Sequence, residues 1–338
     1  MKKLIKLITA LMIISSCNQE VKELQKYSIE TLMSNNRSSG GYFSKDASKL
    51  LYSSDKSGVF NLYEVDLSSL KETQITNSKE ESYFAVAYSP HTNEIIYSAD
   101  KGGNENSHLY LIRGGESIDL TPGDKTKASF LGWTQDEKQM YFLSNARNPK
   151  FFDLYKINMD DLSSKMIMEN NEGYSYYPLS NNDKYLVMVK RPSRDIDQMY
   201  LLNLESNEKI EISNQESNFW GQGFDKNDEN YYYSTNYDNE FLYLMSYNIE
   251  SGNRSLVYKT DWDVTRHFLT KNDKFSVITV NEDAQSQIIV RNNKDSSIVN
   301  FKGIENLNIN SVSFSDDEKM VRINAGSSNS PGDIYTYN

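Results

Sequence analysis

A chain of 338 residues with a formal charge of −11, three histidines and one cysteine excludes several classes at once. The acidic balance argues against nucleic acid and against docking through a polybasic membrane patch, and a lone cysteine leaves no internal disulfide. There are 24 Tyr against 16 Gly and 6 Pro. No low-complexity segment or linker interrupts the chain, and no helical period runs long enough to build on.

The first element is a leader. "MKKLIKLITALMIISSC" has a basic start at Lys2, Lys3 and Lys6, a short apolar stretch from Leu7 to Ile14, and small residues before Cys17. That is the pattern of a secretory signal over residues 1–16, and its apolar stretch is too short to span a bilayer. Ile14-Ser15-Ser16-Cys17 resembles a bacterial lipobox. The resemblance implies that Cys17 becomes the first mature residue and carries the lipid, anchoring the protein to a membrane of the bacterial cell envelope. The chain's only cysteine stands where lipidation needs one. Removing residues 1–16 takes the formal charge from −11 to −14, so lipid would have to do the anchoring. Residues 17–27 are polar and read as a tether.

From residue 28 to 338 one pattern recurs: an apolar residue, a short polar turn, a β-run, a loop, and then a Tyr-containing strand ending in Asp or Asn. The turn follows Phe43, Tyr88, Trp133, Leu179, Phe224, Leu269 and Phe314, spaced 45, 45, 46, 45, 45 and 45. A second anchor, at Asp66, Arg113, Asn158, Asn203, Asn248, Asn293 and Asn338, is spaced 47 and then 45 five times. A period of about 45 with four short strands per unit predicts an all-β, seven-bladed β-propeller of four-stranded antiparallel blades. In blade 2, "YFAVAYS" is strand a beside the axis, "EIIYSA" is b, "HLYLI" is c and "SIDLT" is d at the rim. Blade 7 has an a, a b and a c strand ("DIYTYN") but no d. "SIETLMSNN", Ser28 to Asn36, precedes the first a strand as a d strand would, and is expected to complete blade 7 and close the ring.

These repeats resemble those of TolB-like periplasmic proteins. They look more closely like the N-terminal propeller of the prolyl oligopeptidase family of serine peptidases. The residues that carry the likeness are "FSKDASKLLYSSDKSGVFNLYEVDL", "VKRPSRDIDQMYLLNLESNEKIEIS" and "STNYDNEFLYLMSYNIESGN". The resemblance implies an α/β-hydrolase domain after the propeller, bearing Ser, Asp and His. No Gly-x-Ser-x-Gly nucleophile elbow occurs in these 338 residues. None of His91, His108 and His267 stands in a context that suggests a base beside an activated serine. The expectation is therefore a non-catalytic, envelope-anchored binding module for a peptide, protein or glycan. The alternative is a truncated or split member of the peptidase family whose hydrolase is missing from this chain. A third reading, an enzyme with its site in the channel, has only His267 on an inner strand to support it.

No cofactor and no metal are expected. The acidic turns ("NNDK", "DKNDEN", "SDDEK") suggest calcium, but Asp225-Lys226-Asn227-Asp228 lacks the Gly and distal Glu of an EF-hand loop, and Asn and Asp suit an a–b hairpin turn. Tyr63, Tyr110, Tyr155, Tyr200 and Tyr335 share one repeat position and read as packing between blades. The candidate ligand site lies on the d–a and b–c loops, where aromatic and Arg residues gather: Tyr177, Trp220 and Trp262, with Arg191 and Arg194 beside them. The competing reading puts the aromatics between blades.

Overall fold

At one shared position every repeat takes the left-handed conformation: Ala47, Asn93, Glu137, Asp183, Asp228, Asp273 and Glu318, with φ between 55° and 60°. Asn and Asp visit this region at lower cost than other side chains. These residues tighten the turn between strands a and b, so the polar turns of the repeat are hairpin turns. The computed structural model describes residues 26–213, 215–327 and 330–338.

Seven antiparallel sheets form the ring. Blade 1 is β1 (Ser38–Phe43), β2 (Lys49–Ser54), β3 (Asn61–Asp66) and β4 (Glu72–Gln74). Blade 2 is β5 (Tyr83–Tyr88), β6 (Ile95–Ala99), β7 (His108–Arg113) and β8 (Glu116–Asp119). Blade 3 is β9 (Ala128–Trp133), β10 (Gln139–Asn148), β11 (Phe151–Asn158) and β12 (Ser164–Met168). Blade 4 is β13 (Ser175–Tyr176), β14 (Tyr185–Ser193), β15 (Ile196–Asn203) and β16 (Lys209–Glu211). Blade 5 is β17 (Phe219–Phe224), β18 (Asn230–Thr235), β19 (Tyr243–Asn248) and β20 (Arg254–Tyr258). Blade 6 is β21 (Asp263–Leu269), β22 (Phe275–Glu282) and β23 (Gln285–Asn292); blade 7 is β24 (Asn308–Phe314), β25 (Val321–Ser327) and β26 (Ser330–Tyr337).

Two expectations change. Blades 6 and 7 have three strands each among the described residues, not four. In blade 6 the rim strand is reduced to a single bridge between Arg291 and Ile298. The segment expected to complete blade 7 is not a strand: Ile29–Met33 is one helical turn, α1. Ser28 caps it, accepting from the Thr31 backbone N–H at 3.1 Å, and Glu30 sits in its first turn. A serine cap followed by an acidic residue is a local helix start, and here it outweighs the place in the repeat that suggested a strand. The leader, Cys17 and most of the tether lie outside the described residues.

The second anchor works as expected, with one shift. Asp66, Asn158, Asn203 and Asn248 each end a c strand and accept from a backbone N–H two or three residues on, starting the c–d turn. In blade 6 Asn292 makes that bond, not Asn293.

Apolar clusters fill six joints between blades. Leu51 and Leu62 meet Tyr97 between blades 1 and 2. Leu109 meets Met140 between 2 and 3, and Leu154 meets Leu186 between 3 and 4. Met199 meets Tyr231 at 4–5, Leu244 meets Ile278 at 5–6, and Val290 meets Ile323 at 6–7. The shared-position tyrosines Tyr110, Tyr155, Tyr200 and Tyr335 pack against these clusters, and Tyr63 is buried.

The left-handed turn residues also latch neighbouring blades. Asn93 accepts from Lys45 N–H of blade 1 at 3.2 Å, and Asp183 from Gln135 N–H of blade 3 at 2.9 Å. Asp228 takes the N–H groups of Asn181 and Asn182, both at 2.8 Å. Asp273 accepts from Lys226 N–H at 3.1 Å, and Glu318 from Asn272 N–H at 2.8 Å. Five joints thus share one device. Glu137 is turned to another use, and Ala47 has no acceptor to offer.

Candidate binding site in the central channel

At the joint of blades 7 and 1 the chemistry changes from apolar to polar. Eight residues after the apolar residue that precedes each turn, strand b carries Leu51, Ile96, Tyr141, Val187, Tyr232 and Val277 in blades 1 to 6. Blade 7 has Arg322 there. It lies across from Ser313 in the ladder, and its side chain is held by the strand that its blade presents to the axis. Nε donates to Ser313 Oγ at 2.9 Å and Nη1 to Ser311 Oγ at 2.8 Å. Only 9% of Arg322 is exposed.

Its neighbour across the joint is Gly41, at a bulge between Gly40 and Tyr42. Gly41 has φ +112°, and a Cβ there would stand 2.9 Å from Arg322 Cδ. Only glycine accepts both the dihedral and the closeness. Asn324 Nδ2 donates to the Gly40 carbonyl at 3.2 Å and ties the same two blades.

Arg322 borders a cavity of about 580 Å³ at the axis, together with Tyr42, Trp133, Arg266, Phe268 and Asp316. Arg266 is exposed, with its guanidinium carbon 5.6 Å from the centre of the Phe268 ring. Burial pushes the Arg322 guanidinium down from the usual arginine range; the Tyr42 phenol opposes that and the Arg266 charge adds to it. Among the described residues no carboxylate pairs with Arg322 or Arg266.

The a–b turn end of the channel is crossed by four charges. Lys45 Nζ reaches Glu137 Oε1 at 2.5 Å and Asp316 Oδ2 at 2.9 Å; Lys271 Nζ reaches the same two oxygens at 3.0 and 2.6 Å. They come from the turns of blades 1, 3, 6 and 7. Blades 3 and 6 are nearly opposite in a seven-membered ring, so this clasp spans the axis. Lys45 and Asp316 form that wall of the cavity. Burial alone would raise the Glu137 and Asp316 carboxyls, but the two ammonium groups outweigh it and hold both below their ordinary range.

The five residues expected at the loops are not one patch. Tyr177 packs into the joint of blades 4 and 5 beside Gly221, where an added Cβ would stand 2.8 Å from its ring. Trp262 packs against the joint of blades 5 and 6, its ring 6.0 Å from that of Phe241. Arg191 is committed to Asp197, with Nε 2.6 Å from Oδ1. Asp197 is buried and also accepts from Phe219 N–H at 3.1 Å, so the pair braces two loops. Arg147 does the same one blade earlier through Asp153 and Asn170 N–H. Arg194 is exposed, and its carbonyl accepts from Asn218 Nδ2 at 3.4 Å. Trp220 is the one aromatic of the three that stays 38% exposed. Phe84, opposite Ser98 in β6 as Trp220 is opposite Ser234 in β18, is exposed too.

Sequence reasoning missed Arg322, Arg266 and Phe84. The signal for Arg322 was an arginine in a strand position that six other repeats fill with an apolar or tyrosine side chain.

The histidines do not form a catalytic pair. His267 Nε2 lies 3.1 Å from Ser276 Oγ, but His267 is 3% exposed, Ser276 is buried, and no group orients the other ring nitrogen. Burial, helped by the Arg291 charge, pushes the His267 imidazole down to about 4. His108 is tied to Asp119 and the Gly123 carbonyl, at 2.8 and 3.0 Å. Among the described residues no cluster of three or more His, Cys, Asp or Glu is placed to hold a metal ion.

Comparison with known proteins fits this architecture. Residues 73–338 match the model of the prolyl oligopeptidase N-terminal beta-propeller domain. A curated relative, dipeptidyl aminopeptidase BIII of Pseudoxanthomonas mexicana, is 29% identical over 126 residues, which is 36% of this chain and 18% of the relative. A prolyl endopeptidase structure superposes with TM-score 0.69 at 13% identity, over 90% of this chain and 48% of the other. A puromycin-hydrolyzing peptidase of Mycobacterium tuberculosis gives 0.67 at 9% identity, over 90% and 52%. An oligogalacturonate lyase in complex with manganese gives 0.64 at 14%, over 90% of both chains. At these identities the structures share the fold alone, and the chain spans about half the length of the two peptidases.

Proposed function

The chain belongs to the prolyl oligopeptidase family through its N-terminal β-propeller domain, and from that premise we propose that it is a non-catalytic binding module for a peptide, protein or glycan. It is held to the bacterial cell envelope by lipid on Cys17. The observation that carries the binding reading is the axial cavity of about 580 Å³, bordered by polar groups with unused donors and without an activated nucleophile among the described residues. The anchoring rests on the leader sequence and on the single, well-placed cysteine.

Binding of fluorescent peptides and oligosaccharides to the purified chain tests the module, with fluorophosphonate labelling in parallel. Saturable binding without turnover and without a labelled serine is the expected result. Turnover of a peptide, or stoichiometric serine labelling, overturns it. Metabolic labelling with a palmitate analogue should mark the wild type and spare Cys17→Ser; equal labelling of both removes the anchor.

A second reading has its own support. The chain spans 48% and 52% of two peptidases with which it shares the fold, as one half of a split peptidase would. In that case a fluorophosphonate-reactive hydrolase chain should co-purify with the propeller from its own envelope.

A further inference from the structure

The cation at the axis calls for a partner. In a chain of formal charge −11, carboxylates are in excess, and several arginines use one: Arg113 with Glu94, Arg147 with Asp153, Arg191 with Asp197. Arg322 uses none. It is nine-tenths buried, it spends two donors on neutral serines, and a second cation, Arg266, lines the same cavity. A buried guanidinium without a counter-charge is costly. The fold keeps it nonetheless, with a glycine at Gly41 that its side chain requires. The other charges bordering the cavity, Lys45 and Asp316, already neutralise each other through the clasp.

We infer that the axial cavity is a carboxylate site, with Arg322 and Arg266 as its cationic wall and a carboxylate-bearing ligand as its occupant. This rests on the binding-module reading and names the ligand class for that site. Arg322 is pre-positioned by Ser311 and Ser313 and offers its remaining N–H groups to a carboxylate; a fork-shaped donor suits that geometry. Arg266, lying over Phe268, supplies a second charge from the accessible side. Tyr42, Trp133 and Phe268 give the cavity apolar surface for the body of such a ligand. The carboxylate could come from a peptide C-terminus or from an acidic sugar, and the same two arginines would meet either.

Isothermal titration calorimetry on the full chain decides it, using N-acetyl-trialanine, its C-terminal amide and trigalacturonate. Binding of either carboxylate probe, absent or at least tenfold weaker for the amide, supports the site, and the probe that binds identifies the source. Arg266→Ala should weaken that binding about tenfold or more, the loss of one charge-assisted contact, with unchanged melting temperature because Arg266 is exposed. Arg322→Lys keeps the charge but not the fork and should weaken it too. Equal binding of acid and amide, no binding of either acid at millimolar concentration, or wild-type affinity in Arg266→Ala overturns the inference. Saturable binding of neutral peptides or glycans alongside such a result leaves the module reading standing, so the two fail separately.

Discussion

At the scale of single residues, burial decides which titratable groups matter. His267 is neutral across the physiological range because its imidazole is pushed from 6.5 down to about 4. The unfolded chain therefore binds a proton that the folded chain refuses. The stabilising difference is fully present above pH 6.5 and is lost as pH falls from there towards 4, amounting to about 3 kcal/mol. Urea midpoints measured at pH 7.5 and 4.5 should differ less in His267→Phe than in the wild type. An equal difference would mean that the histidine is not buried neutral. Gly41→Ala should cost about 1–3 kcal/mol, from a left-handed dihedral and the contact with Arg322 together. Thermal melting measures it, and pairing Gly41→Ala with Arg322→Ala should recover the part owed to that contact.

At the scale of the element, the turn between strands a and b does two things, and only one was visible beforehand. Its residue types announced the hairpin, and the two periodic anchors announced the blades, because both follow from neighbours in sequence. That Asp183, Asp228 and Asp273 also bond the turn of the preceding blade depends on residues more than forty positions away, and no local pattern shows it. Asp228→Ala should cost about 2–3 kcal/mol, since it strands the N–H groups of Asn181 and Asn182. Asp228→Asn, which keeps an acceptor and the dihedral, should recover much of this in a denaturant melt. The same locality explains the errors. The place of "SIETLMSNN" in the repeat points to a strand, while Ser28 and Glu30 favour one helical turn. Aromatic and Arg residues in the loops looked alike on paper. Burial divides them: Tyr177 and Trp262 are packing, Arg191 is a brace on Asp197 and Trp220 is free. Arg322 was legible only by comparing the seven repeats with one another.

At the scale of the whole molecule the ring is not uniform. Six joints carry an apolar cluster among the described residues, and the joint of blades 7 and 1 is held by Lys45 with Asp316, Asn324 with Gly40, and Arg322 over Gly41. The clasp is partly exposed and answers to salt. Its acid side follows from the lowered Glu137 and Asp316 carboxyls. Their contribution is full above the ordinary carboxylate range, about pH 4–5, and is lost as pH falls through their lowered values. Glu137→Gln should therefore flatten the acid limb of the stability profile and reduce the loss of stability in molar salt. Hydrogen exchange should show β1, β25 and β26 losing protection before β6, β10 or β18 as denaturant is raised. Simultaneous loss in all of them would mean that the closing joint is no weaker than the rest. A mechanical consequence follows. Among the described residues of the seven blades, each of the other six joints is also crossed by the backbone running from one blade to the next, and this one is not. Pulled outward, the molecule should part there like a split ring, with the blades still in file and the axial cavity laid open along one side.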